Sequence, residues 1–265
     1  EAAVWIPYGL SRSCAGMAWD RSGGKFGPFA GQLFVAEVTN GLVVRVQMEK
    51  VAGEWQGTSF RFRGDVGAAN RVVFAPDGTL FAGLTNRGWG GAGRPHGLVR
   101  LRWRGETPFE IERVHLLDDG FEVTFTQPLD PKLELGPSSL DLVQYDYNWW
   151  WSYGSPETNT SPVEVASIGR GSDARRIVVR APALAAGMVA RLVFHGIRSD
   201  RGVALLHDQA DVTINRFPDG RGGSKSVTNR VPPPKTKEQE AEGWCYLQPV
   251  DPSHAWTGEG WMLAD

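Results

Sequence analysis

The sequence predicts an all-β chain in two parts: about two blades of a β-propeller, then an Ig-like antiparallel β-sandwich. Three observations predict it. A motif occurs twice, as Gly31–Asn40 and Asp77–Asn86, each copy a turn signal, a short apolar run and a Thr-Asn end. Leu33 and Leu80 stand 47 positions apart, within the roughly 40–50-residue period of propeller blades. From about Phe109 onward, seven short segments follow with turns every ~8–15 positions, which is the signature of an antiparallel sandwich.

Taken in order, residues 1–15 read as a loop leading into the first repeat. Met17-Ala18-Trp19-Asp20 precedes the first motif as Val73-Phe74-Ala75-Pro76-Asp77 precedes the second. Leu42–Val46 and Leu98–Trp103 are the strands that follow each copy. Between the copies, Glu54–Arg63 alternates large apolar with polar residues, the period of a half-buried strand, and Gly64–Gly67 is a turn. Residues 1–104 therefore read as partial propeller blades. Closed propellers need about four to eight blades, so two cannot close a ring. Missing blades or a partner chain are the expected partners, and the chain alone is expected to self-associate near Trp55, Phe60, Phe62 and Trp89.

The character changes at Gly105-Glu106-Thr107-Pro108. Phe109–Leu116 and Gly120–Gln127 alternate as strands around an Asp118-Asp119-Gly120 turn. Ser139–Tyr147, Val163–Ile168, Arg175–Arg180, Ala190–Phe194 and Asp211–Asn215 complete the seven over residues 105–216. Phe121, Val123 and Phe125 stand at i, i+2 and i+4, which places them on one face. Periodicity stops after Arg216. Residues 217–243, rich in Gly, Pro and Lys, read as a linker, and 244–265 as a Trp-rich tail.

Composition excludes several function classes. A net charge of −2 makes no electrostatic case for nucleic acid or an acidic membrane surface. Arg61 and Arg63, then Arg100, Arg102 and Arg104, fall at every second residue and read as solvated strand faces. No apolar run approaches the ~20 residues of a membrane span. The first residue is Glu1, with no charged n-region before an apolar h-region, so the chain reads as a mature or truncated piece. Two cysteines, Cys14 and Cys245, lie far apart; a pair could bridge, but they read as free or separately buried.

Two constellations could bind a ligand. The glycine-rich loop Asn86–Gly97 brings Asn86, Arg87, Trp89, Arg94 and His96 together as donors, cations and an aromatic face, and its glycines would let a ligand approach the backbone closely. A long hairpin loop whose Trp89 covers a blade edge is the plainer reading. The run Tyr145–Tyr153 is the densest in aromatics. Alternate rings on a strand face opposite sides, so Tyr145, Tyr147, Trp149 and Trp151 form a candidate aromatic surface, either for sugar rings or for packing between domains. His115 and His195 lie on predicted strands and read as structural. No metal-ligand spacing and no catalytic constellation is legible.

These residues carry a resemblance. Phe26–Val35 with Thr39-Asn40 and Arg45-Val46, then Phe74–Phe81 with Thr85–Gly90, resemble the closing blades of sorbosone-dehydrogenase-like β-propellers. The relatives in question are the large secreted propeller proteins of planctomycete and verrucomicrobial type, often fused to a c-type cytochrome module. Arg100–Ile111, Asp119–Asp130, Tyr153–Glu157 and Gly196–Ser199 are similar too, so the resemblance spans about residues 15–217, and Trp103–Asp130 is its most specific stretch. It implies a periplasmic or extracellular setting and a parent protein that uses pyrroloquinoline quinone (PQQ) or haem. The chain departs from the pattern in lacking the C-x-x-C-H haem motif and the earlier blades where PQQ is held. The expectation is a non-catalytic C-terminal portion of a propeller-type oxidoreductase or haem-associated protein, with no cofactor of its own. A carbohydrate-binding module and a part of a quinone-dependent sugar dehydrogenase are the alternatives.

Overall fold

A computed structural model describes residues 2–86, 91–147 and 155–222. Strands β1 (Cys14–Trp19), β2 (Leu33–Glu37), β3 (Leu42–Val51) and β4 (Glu54–Arg63) form a meander. Between β3 and β4 the turn is two residues long, and both Ala52 (φ 43°) and Gly53 (φ 92°) have positive φ. That backbone matches the twist of a tight hairpin. A second meander follows, of β5 (Ala69–Phe74), β6 (Leu80–Thr85) and β7 (His96–Leu101).

The sequence repeat is a repeat of register. Leu33 pairs with Trp19 and Val46, and Leu80 pairs with Phe74 and Leu101. Phe34 pairs with Ala18 and Arg45, as Phe81 does with Val73 and Arg100. The Thr-Asn ends are not equivalent. Thr85 closes β6 opposite His96, whereas Thr39 lies in the turn beyond β2. One more residue separates Leu33 from Thr39 than Leu80 from Thr85, and the surplus is taken up in that turn.

The rest of the described chain contributes β8 (Ile111–Leu117), β9 (Gly120–Phe125), β10 (Leu140–Tyr147), β11 (Glu157–Pro162), β12 (Ser167–Arg170), β13 (Arg176–Arg180), β14 (Met188–Phe194) and β15 (Gln209–Ile214). Three antiparallel sheets result, ordered β1-β2-β3-β4-β15-β14-β10-β11, β12-β13-β9-β8 and β5-β6-β7. The fold is all-β, and among the described residues no sheet closes on itself.

The differences from the sequence reading have clear causes. Of the strand expected at Val163–Ile168, Ser167 and Ile168 open β12, while residues 163–166 are a crossing between sheets. The Val163 N–H bonds Leu142 of β10, and the Ala166 N–H bonds Arg180 of β13, so the chain leaves one sheet and enters another within four residues. Strand β11, polar throughout, had no apolar alternation to betray it. The expected break at residue 105 is not a break in the sheet either, because β4 pairs with β15 through Ser59 and Asp211. All described residues belong to one compact unit. Of the expected linker, residues 217–222 belong to that unit: Phe217 is buried, and Arg221 stacks over its ring at 4.3 Å. The remainder of the linker and the tail lie outside the described residues.

Three cores organise these sheets. Phe121, Val123 and Phe125 share the largest with Val114, Ile177 and Leu192, so the four-stranded sheet and the β10-β14-β15 part of the eight-stranded sheet bury one another. Gly120 sits where this sheet is tightest; a Cβ there would come within 1.9 Å of the Val179 carbonyl oxygen. Phe34, Ala36 and Val43 meet Val72, Leu80 and Leu84 between the two meanders. On the far side of the first meander, Val35, Val44 and Val46 are covered by Val4, Ile6 and Leu10.

A row of side chains fixes the junction. Arg45, Gln47 and Glu49 alternate along β3 and reach the edge strand β8, whose backbone has no strand neighbour on that side. Arg45 lies between the rings of Phe29 (4.0 Å) and Phe60 (3.9 Å). It donates to the carbonyl oxygens of Ile111 (2.6 Å) and Glu112 (3.0 Å) and to Gln32 Oε1 (2.6 Å). Gln47 Oε1 accepts the Val114 N–H at 3.0 Å, and Glu49 Oε1 accepts that of Leu116 at 3.3 Å. Each rung supplies what the edge lacks at that point, a donor for a carbonyl or an acceptor for an N–H. An open strand edge is thereby closed by side chains rather than by another strand.

Candidate functional site

The aromatic run and the glycine-rich loop end in different surroundings. Tyr145 and Tyr147 do face away from the large core, as alternation requires, but they do not form an open surface. Tyr145 is fully buried. Its hydroxyl donates to Asp211 Oδ1 at 2.8 Å, and the Arg191 guanidinium lies 4.8 Å over its ring. Tyr147 stacks edge-on to Tyr145 at 5.6 Å and meets Trp5 of the N-terminal segment at 5.5 Å. That segment is the cover the sequence did not reveal, and the Trp5 N–H anchors it to Thr213 Oγ1 at 2.8 Å. Trp149 and Trp151 lie outside the described residues.

Around Tyr145 the sheet carries a saturated ionic network. Register places Arg191 opposite Asp211 and Asp211 opposite Ser59, so all three share the outer face. Arg191 Nε donates to Asp211 Oδ1 (2.8 Å), and Nη1 and Nη2 grip Glu157 at 3.1 and 2.6 Å. Gln209 donates to Asp211 Oδ2 at 2.8 Å. Burial raises the Asp211 pKa, although Arg191, Gln209 and Tyr145 all work to lower it. Burial and the Asp211 charge raise that of Tyr145, and burial pushes Tyr147 up to about 12. Burial opposes the Arg191 charge, yet the Glu157 bond and the neighbouring Asp211 leave its pKa raised. Asp211, Tyr145 and Arg191 are matched to one another or to Glu157 and Gln209, the arrangement of a structural cluster rather than of a poised acid or base, while the buried Tyr147 hydroxyl has no hydrogen-bond partner among the described residues.

A cleft of about 520 Å³ opens beside this network, between Pro7–Leu10 and the sheet. Arg61, His207 and Asp208 stand on its walls, and Ser59 lies in its floor. Ser59 is fully buried, and its Oγ has no hydrogen-bond partner among the described residues. His207 Nδ1 is bound to Glu110 at 2.6 Å, which directs its other ring nitrogen elsewhere. Arg61, read as a solvated strand arginine, is exposed. Neither Ser59 nor Asp211 was singled out from the sequence; the only signal was a polar residue between apolar ones on adjoining strands.

The glycine-rich loop is tied down through its backbone. Its Ala92 N–H bonds the Thr39 carbonyl at 2.9 Å, the Asn86 N–H that of Pro95 at 3.0 Å, and the Ala68 N–H that of Arg94 at 3.0 Å. Gly91 runs so close to the first meander that a Cβ would come within 2.8 Å of the Val38 carbonyl oxygen. Gly91 thus serves close packing between the two meanders. Arg94 and His96 are exposed, and Arg87 and Trp89 lie outside the described residues.

Of the other expectations, His115 bonds Glu49 and His195 bonds Asp141, each at 2.8 Å. Cys14 is a free thiol beside Ser11 Oγ at 3.0 Å. Among the described residues no His, Cys, Asp and Glu cluster of metal-binding geometry occurs, and no helix is long and apolar enough to cross a membrane. No family model, no curated protein and no solved structure matches the chain.

Proposed function

We propose that the chain is the non-catalytic C-terminal portion of a secreted propeller-type oxidoreductase or haem-associated protein. In this reading the two meanders are propeller blades, and an Ig-like sandwich braces them. The observation that carries it is the Arg45–Gln47–Glu49 row on β8, which ties the repeat to the sheet of the second half. A brace needs such a hydrogen-bonded seam, since a loosely joined domain pair moves by default. PQQ or haem would belong to the rest of the protein, in the periplasm or outside the cell.

The test is hydrogen exchange on the full chain. Strands β3 and β8 should gain and lose protection together, and Gln47→Leu should lower protection in both. Exchange of β8 unchanged by that variant would end the bracing reading. The same chain, supplied with PQQ and an electron-acceptor dye, should reduce no sugar-dependent dye; turnover would move the assignment to a sugar dehydrogenase. Carbohydrate binding is a second reading, favoured by the cleft with its unpaired Ser59 hydroxyl. Retardation of the chain in polysaccharide gels, abolished by Ser59→Val, would establish it.

A further inference from the structure

Register equivalence assigns a counterpart to each residue of the meander interface. The face of the first meander that carries Phe34, Ala36, Val43 and Arg45 corresponds in the second to Phe81, Gly83, Leu98 and Arg100. In the first meander this face is covered: Phe34, Ala36 and Val43 lie in the core between the meanders, and Arg45 is 1% exposed. In the second it is bare. Val73 is 61% and Leu98 66% exposed, and no ion pair or hydrogen bond among the described residues holds the Arg100 guanidinium.

The opposite faces show the converse. Val72 and Phe74 of β5 pack into the core between the meanders, and their counterparts on β1 are Met17 and Trp19. Met17 is 61% and Trp19 41% exposed. The N-terminal residues Val4, Ile6 and Leu10 cover the β2 and β3 part of that face and leave β1 open. One chain therefore shows one half of that interface uncovered on its second meander and the β1 part of the other half uncovered on its first.

We propose that the β5-β6-β7 face binds the β1 edge of a second copy of this chain, head to tail, repeating the part that β5 takes in the contact between the two meanders. The proposal rests on the repeat reading above. Trp19 of the incoming copy meets Phe81 there, as its counterpart Phe74 meets Phe34 at 5.6 Å in the internal contact. Two β5-β6-β7 faces would instead bring Arg71 and Arg100 against their own copies, so like charge disfavours the symmetric pairing. A head-to-tail contact uses two different patches and does not saturate in a dimer unless it closes into a ring.

Sedimentation velocity on the full chain at rising micromolar concentration tests this. The chain should assemble beyond dimers. Val73→Asp and Trp19→Asp, both at exposed positions, should each sediment as monomers with unchanged circular dichroism. Their equimolar mixture should form a dimer and stop, because each variant keeps the half that the other lacks. Leu98→Asp replaces Val73→Asp if the latter misfolds. A wild-type chain that stays monomeric, a variant that still assembles alone, or a mixture that stays monomeric overturns the proposal. Hydrogen exchange across β3 and β8 in the same samples reads the brace independently, so the two readings fail separately.

Discussion

Arg45 and Arg191 are both guanidiniums set into sheets, and they are stabilised in opposite ways. Arg45 faces backbone carbonyls, a glutamine and two aromatic rings, with no carboxylate bonded to it. Burial pushes its pKa down to about 9, against the more distant charges of Glu110 and Glu112. Arg191 binds two carboxylates directly, which hold its charge in place despite burial. The first arrangement consumes the polar edge of a strand; the second only neutralises itself. A cation that meets neutral acceptors makes a joint between elements. One that meets carboxylates fills a layer of a single sheet.

Truncating the first cation should do the most damage. Arg45→Ala leaves the Ile111 carbonyl and Gln32 without a donor and opens a gap between Phe29 and Phe60. Unpaired buried groups cost about 1–3 kcal/mol each, so a loss of roughly 3 kcal/mol or more is expected in urea unfolding. Less than about 1 kcal/mol would show that water replaces the guanidinium and that the joint is not dry.

Asp211→Ala should cost less, about 2 kcal/mol, since Arg191 keeps Glu157 while Tyr145 and Gln209 lose their acceptor. Asp211→Asn should lose less still, because burial already disfavours the ionised carboxylate. An asparagine variant as damaged as the alanine one would mean that the charge itself, rather than the hydrogen bonds, secures Arg191.

The smallest effect belongs to the exposed end of the β3 row. The Glu49 hydrogen bond raises the His115 pKa above 6.5. A raised folded-state value means that its stabilisation is complete below the unfolded pKa and is lost as pH rises through the folded one. The melting temperature should therefore fall slightly as pH climbs through and just above the ordinary histidine range, and His115→Gln should remove that slope. A slope unchanged in the variant would assign it to another group.

The strands and their faces were legible in the sequence because alternation and turn residues are local. Leu33 and Leu80 marked the repeat, and Phe121, Val123 and Phe125 marked the largest core. What covers a face is not local. Arg45 alternates with valines and looks like a solvated strand arginine, and only β8, 66 residues later, makes it buried. Phe60, expected near an open blade surface, is 2% exposed for the same reason, whereas Trp55 is 56% exposed. Tyr145 lies off the largest core, but Trp5 and its neighbours, which cover it, carry no periodicity that announces a cover. The cleft was invisible because Ser59 and Asp211 meet only through the β4–β15 pairing.

The N-terminal cover also has a consequence in time. Asn215 Nδ2 donates to the Ala2 carbonyl at 3.0 Å, and Thr213 receives the Trp5 N–H. These early residues thus wait for almost the last described ones to be synthesised before they can dock. At about 5–20 residues per second, that delay is on the order of ten to forty seconds. Throughout it Val35, Val44 and Val46 lie bare on a finished strand pair. During synthesis the nascent chain therefore presents a sticky surface that the completed fold conceals, and that interval is when a chaperone would find it.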